Sequence, residues 1–83
     1  MKIVGIAYKK RPSNGTGVYR VTVKYTIGTR GQKVYTANMA YNWFNGTCYF
    51  VDEREEASNR WAKDSLRDFV ESYFKLKFYG WEA

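Results

Sequence analysis

Val18 to Ile27 alternates without a break. Tyr19, Val21, Val23, Tyr25 and Ile27 fall on one side, with Arg20, Thr22, Lys24 and Thr26 on the other. A period of two over ten residues predicts a strand with one buried face. Lys33 to Trp43 repeats the pattern, with Tyr35, Ala37, Met39, Tyr41 and Trp43 facing one way and Thr36, Asn38 and Asn42 the other. If both odd-numbered sets face one core, paired residue numbers must sum to an even number. A three-residue loop, Thr29-Arg30-Gly31, meets that condition by pairing Gly28 with Gln32, and Gly31 supplies the residue at positive φ that ends such a loop.

Asn45-Gly46 is the strongest hairpin dipeptide in the chain. As a two-residue type I′ turn it pairs Trp43 with Cys48 and Tyr41 with Phe50. Cys48 and Phe50 then face the core and Tyr49 faces outward. Lys2 to Lys9 is a shorter strand in which Val4, Ile6 and Tyr8 are expected to point inward.

From Asp52 the period changes. Asp52 followed by Glu55 fits a capping box, with Asp52 as the N-cap. Ala62, Leu66, Phe69, Tyr73 and Leu76 then recur at alternating spacings of four and three, widened by Val70 and Phe74, as one apolar stripe of a helix. Arg60–Asp64 and Glu71–Lys75 are opposite charges four residues apart on the polar side. Ser58-Asn59 is a weak point where the helix starts late or bends. Trp61 falls off the stripe. The helix should end near Lys77, where the stripe closes.

These elements predict one α+β domain over residues 1–83. A four-stranded antiparallel meander (1–51), its strands in sequential order, packs on one long C-terminal amphipathic helix (52–77), and an aromatic tail (78–83) follows. Eighty-three residues allow about this much core and no more. Three Trp, eight Tyr and five Phe exceed what one sheet–helix interface consumes, so the rest are expected on an exposed face, in a subunit interface or at a binding site.

The net charge of +6 is unevenly spread. Residues 1–51 hold eight Lys or Arg and no acid, whereas residues 52–83 hold eight acids and six bases. A +8 half beside a −2 half points to a polyanionic partner on the sheet side. The phosphate contacts expected there are Lys9, Lys10, Arg11, Arg20, Lys24, Arg30 and Lys33, with Tyr49 as the ring on which a base stacks.

Catalytic chemistry finds little to work with. The chain has no histidine, which removes the commonest general base and the commonest metal ligand together. The one cysteine, Cys48, sits at a core-facing position with no His beside it, so it reads as a buried inert thiol. A single cysteine also suits a reducing, cytoplasmic setting. No cofactor, metal site, small-molecule substrate or membrane span is expected.

Four meandering strands followed by a helix are similar in outline to the single-stranded-DNA-binding transcriptional coactivators that dimerise through their helices, a likeness of topology alone. In its small size, aromatic richness and lack of an enzyme motif the chain also resembles phage-encoded accessory proteins, anti-CRISPR inhibitors among them, a resemblance that implies the cytoplasm of a bacterial or phage-infected host cell. The expectation is thus a non-catalytic module that binds single-stranded DNA or RNA. The alternative is a phage-encoded inhibitor that docks on an acidic protein or ribonucleoprotein surface, anchored by Trp61, Tyr79 and Trp81. A homodimer through the helix or tail is a further outlet for the surplus rings.

Overall fold

A computed structural model of the chain describes residues 1–8, 17–28 and 33–79, with residues 78 and 79 described by backbone alone. Four strands form one antiparallel sheet in sequential order: β1 (Lys2–Tyr8), β2 (Val18–Thr26), β3 (Tyr35–Asn42) and β4 (Thr47–Phe50). Two helices follow, α1 (Glu53–Ser58) and α2 (Lys63–Tyr79), joined by a 3-10 turn over Arg60–Ala62. The α+β meander read from the hydrophobic pattern is the architecture observed.

The β2–β3 register is the one that loop parity requires. Tyr19 faces Tyr41, Val21 faces Met39 and Tyr25 faces Tyr35, every pair summing to 60 as Gly28 with Gln32 does. The loop residues 29–32 themselves lie outside the described residues. The odd-numbered side chains of β2 and β3 from Tyr19 to Tyr41 build the core with Cys48, Ala62, Leu66, Val70 and Phe74.

Three expectations at the sheet need correction. In β1 the bulge between Ile3 and Gly5 inserts Val4 as an unpaired residue, so Ile3, Ile6 and Tyr8 pack inward and Val4 is exposed. A one-residue insertion switches the face of everything on one side of it. Ile27 lies beyond the end of β2 and is exposed as well. The third correction is the β3–β4 register. Tyr41 pairs with Cys48 and Met39 with Phe50, so Asn45-Gly46 is not a two-residue turn but half of a four-residue loop, Trp43 to Gly46. Asn42 causes this. Its Oδ1 accepts from the amides of Phe44 (2.9 Å) and Asn45 (3.4 Å), and its carbonyl accepts from Gly46 N at 2.8 Å, which winds one helical turn that Gly46 closes at φ 70°. The slip is two residues, so Cys48 and Phe50 still face the core and Tyr49 still faces outward. Trp43, expected inside, sits on the loop instead.

The helical half breaks where Ser58-Asn59 stands. Asp52 caps α1 through a 2.8 Å bond from Glu55 N. Glu55 does not complete the box; its Oε1 accepts from Asn38 N (2.8 Å) and Asn38 Nδ2 (3.0 Å), continuing β3's hydrogen bonding where β4 has ended. On α2 the fully buried row is Leu66, Val70 and Phe74, with Phe69 and Tyr73 only partly covered and Leu76 exposed. The expected stripe of alternating spacing is therefore rotated toward a row of residues four apart, the ridge that lies along the sheet. The Arg60–Asp64 and Glu71–Lys75 pairs are not made; the ion pair among the described residues is Lys63–Glu56 at 3.0 Å.

Candidate nucleic-acid interface and hairpin tip

The sheet has one face under the helices and one face open. Cross-strand pairing puts Arg20, Ala40 and Tyr49 in one row across β2, β3 and β4 of the open face, and Gly5, Lys24 and Thr36 in another across β1, β2 and β3. Two strand spacings separate Arg20 from Tyr49, roughly 10 Å, and four residues along β2 separate Arg20 from Lys24, roughly 13 Å. Ala40 between the first pair is small and buried, so the row has a low centre flanked by a guanidinium and a phenol ring. Beside Lys24 the small residues Gly5 and Ala7 leave a shallow hollow of about 220 Å³, bounded also by Ile6 and Thr22.

Arg20 and Lys24 are exposed, and among the described residues neither makes a hydrogen bond or ion pair. Tyr49 is 45% exposed. The Glu55 carboxylate meets this face at Asn38, whose backbone amide and side-chain amide both donate to its Oε1. Asn38 in turn accepts from Thr22 Oγ1 at 3.2 Å, which ties the middle of the face together.

Of the residues expected to meet phosphate or base, the structure thus brings Arg20, Lys24 and Tyr49 onto one surface. Lys33 is not with them. Its Nζ lies 5.3 Å from the centroid of the Tyr35 ring, and that ring stacks on buried Tyr25, which places Lys33 toward the helix side. Lys9, Lys10, Arg11 and Arg30 lie outside the described residues, as do Trp81 and the side chain of Tyr79. Trp61 is 54% exposed and meets the Tyr35 ring edge-on at 5.6 Å.

The hydrophobic pattern missed the hairpin tip. Trp43 and Phe44 stand there in an edge-to-face pair with centroids 5.4 Å apart, Phe44 being 71% exposed. Together with Tyr41, Asn45 and Gly46 they face Glu71, Ser72 and Lys75 of α2 across a cleft of about 500 Å³. The signal available in the chain was Asn42, which can start a turn three residues before Asn45-Gly46 and so lengthen the loop.

Cys48 offers no nucleophile. Burial, reinforced by the nearby Glu71 carboxylate, pushes its thiol up to about 12. Its backbone is held instead: the amide donates to Glu71 Oε2 at 2.8 Å, and the carbonyl accepts from Arg67 Nε at 3.2 Å. Among the described residues no group of three or more acidic or thiol side chains could hold a metal ion, and no helix is long and apolar enough to cross a membrane. No family model matches the chain, and neither a curated protein nor a solved structure matches it.

Proposed function

We propose that the chain is a non-catalytic binding module for single-stranded DNA or RNA, with the open sheet face as the contact surface. One observation carries this reading: Arg20 and Lys24 stand exposed without a carboxylate partner on a face that also displays the Tyr49 ring. Cations about two nucleotides apart can neutralise a backbone while a base stacks on the ring, and short polar side chains such as Thr22 and Thr36 leave room for the strand. The acid-free character of residues 1–51 extends the same field past the described residues.

Fluorescence anisotropy with labelled single strands at low salt tests the reading. Binding is expected to fall steeply with salt and to weaken in Arg20→Ala plus Lys24→Ala. Absence of binding, or binding indifferent to that double substitution, refutes it.

A second reading is favoured by Trp61. An exposed Trp, seated at the end of the ring series Tyr25–Tyr35–Trp61, is the residue type that anchors protein interfaces. On this reading the chain is a phage-encoded inhibitor of the anti-CRISPR or another anti-defence type, and it docks on a host protein or ribonucleoprotein. A stoichiometric protein captured after nuclease treatment and lost on Trp61→Ala supports it; capture of nucleic acid alone before treatment supports the first reading.

A further inference from the structure

We propose that the free edge of β1 receives a strand from another protein, an extended segment in which apolar residues alternate with acidic ones. This goes beyond both readings above and depends on neither. The two edges of the sheet differ in what covers them. Trp43 N donates to Gly17 O, so the odd-numbered residues of β2 are the ones that bond β3. The even-numbered residues bond β1, through Gly5 opposite Lys24 and Ala7 opposite Thr22. The backbone amides and carbonyls of Ile6 and Tyr8 therefore point out of the sheet. At β4 the corresponding groups of Cys48 are both taken by side chains of α2. No group among the described residues does this for Ile6 or Tyr8. The bulge at Val4 interrupts the edge, which confines regular pairing to the stretch from Gly5 to Tyr8.

The position of α2 accounts for the difference. Arg67 and Glu71 hold the helix to β4, whereas on the far side it meets β1 at Tyr8, through Tyr73 and Phe74. Ile3, Ile6, Phe69 and Tyr73 are left only partly buried, and Leu76 on the same side of the helix is 62% exposed. Tyr73, Leu76 and Lys77 border an open hollow of about 360 Å³ there. Residues of an added strand that pair with Ile6 and Tyr8 share their face and point toward this side. Apolar side chains at those positions complete the cover that α2 leaves unfinished.

The opposite face sets the charge. Positions paired with Gly5 and Ala7 point to the open face, beside the hollow of about 220 Å³ that those two small residues leave. Gly5 places no side chain between an added residue and Lys24, its partner on β2. A Glu or Asp at that position reaches across to the Lys24 ammonium, which makes no ion pair among the described residues. Lys77, with its Nζ 5.8 Å from the Tyr8 ring centroid, and Lys2 supply a cation toward each end of the edge. Residues 1–51 hold no acid to compete for them. The same charges disfavour a second copy of the chain, because an antiparallel β1 would bring its Lys2 toward Lys77. In such a complex backbone bonds give affinity and the alternating side chains give specificity.

Amide exchange on the full chain is the first measurement. Ile6 and Tyr8 should exchange fast while Gly5 and Ala7 exchange slowly. Slow exchange at all four in the free protein shows an edge already covered and overturns the proposal. The binding probe is a fluorescein-labelled peptide of about six residues alternating valine and glutamate. It should bind saturably, protect the Ile6 and Tyr8 amides, and bind several-fold more tightly than a peptide alternating valine and lysine. N-methylation of its valine amides, which face β1, should abolish binding, and N-methylation of its glutamate amides should not. Gly5→Val fits the fold, since an added Cβ meets no atom within 4 Å, yet it stands between the glutamate and Lys24 and should weaken the peptide several-fold. Lys24→Ala should do the same and reduce the salt dependence. No binding at millimolar peptide, equal binding of the lysine peptide, or indifference to valine N-methylation overturns the proposal. A sedimentation coefficient that rises with protein concentration as the Ile6 and Tyr8 amides become protected marks a second copy as the occupant and overturns it too.

Discussion

Tyr25 and Asn59 form the most consequential polar contact between single residues. Both are buried, and the Tyr25 hydroxyl donates to Asn59 Oδ1. Asn59 Nδ2 donates to the Glu55 carbonyl at 2.9 Å, and its backbone amide reaches the carbonyls of Glu55 and Glu56. One side chain thus ends α1 and satisfies a phenol in the middle of the core. Asn59→Ala strands the Tyr25 hydroxyl, and urea unfolding should show a loss of about 1–3 kcal/mol. The double variant with Tyr25→Phe should lose less than the sum of the two single variants, because neither polar group is then left alone.

Cys48 gives a prediction in pH. Its folded pKa, pushed up to about 12 by burial, lies above that of an unfolded thiol. The fold therefore keeps the proton more tightly than the unfolded chain does. The resulting stability is complete below the unfolded pKa and is lost as pH rises through the folded one. Burial raises Tyr25 in the same direction. Thermal unfolding should show the protein weakening progressively above about pH 9, and Cys48→Ala should flatten part of that slope. Iodoacetamide should label native Cys48 only at the rate of unfolding.

Among the elements, β4 is an edge strand whose outer side is covered by side chains rather than by another strand. It is a four-residue edge strand, and the outward amide and carbonyl of Cys48 are taken by Glu71 and Arg67 from α2. Side chains of the helix thereby occupy the bonds that a further strand would otherwise make. Glu71→Ala plus Arg67→Ala should raise amide exchange at Cys48 sharply, while exchange at buried β2 amides stays slow; equal protection in the variant would show that the clamp does not matter. Gly46 is the second element-scale constraint. Its φ of 70° makes Gly46→Ala cost about 1 kcal/mol through backbone strain alone, since an added Cβ would meet only the Tyr41 hydroxyl, at an ordinary 3.8 Å.

Taken as a whole, the molecule separates its charges by layer. The sheet half carries the excess of bases, and the acids belong to the helical half, where Glu55, Glu71 and Asp52 serve as hydrogen-bond acceptors for the backbone. If the sheet face binds a single strand, each phosphate neutralised contributes about 0.7 to the slope of log K against log salt. Arg20→Ala plus Lys24→Ala should therefore reduce that slope by about 1.4, measured by anisotropy over a salt series. The two layers are joined at Phe74, which stacks on Tyr41 at 4.5 Å and meets Tyr8 at 5.0 Å and Tyr19 at 5.7 Å. Phe74→Ala should cost about 3–5 kcal/mol on denaturant unfolding, because three strands lose their contact with α2 together.

Strand alternation, loop parity and helical spacing were enough to determine the architecture, the β2–β3 register and the open-face placement of Arg20, Lys24 and Tyr49. These are local rules with periods of two and 3.6, and they can be read without knowing what lies opposite. Four features depended on the folded chain. The Val4 bulge is settled by how β1 meets β2, and the turn through Asn42 by side-chain bonds that compete with the Asn-Gly signal. Rotation of the α2 stripe toward Leu66, Val70 and Phe74 follows from how the helix lies on the sheet. The Trp43–Phe44 cleft needed two segments nearly thirty residues apart in the chain to be brought face to face. Periodicity assigns a residue to a face; only packing decides which faces meet and what space remains between them.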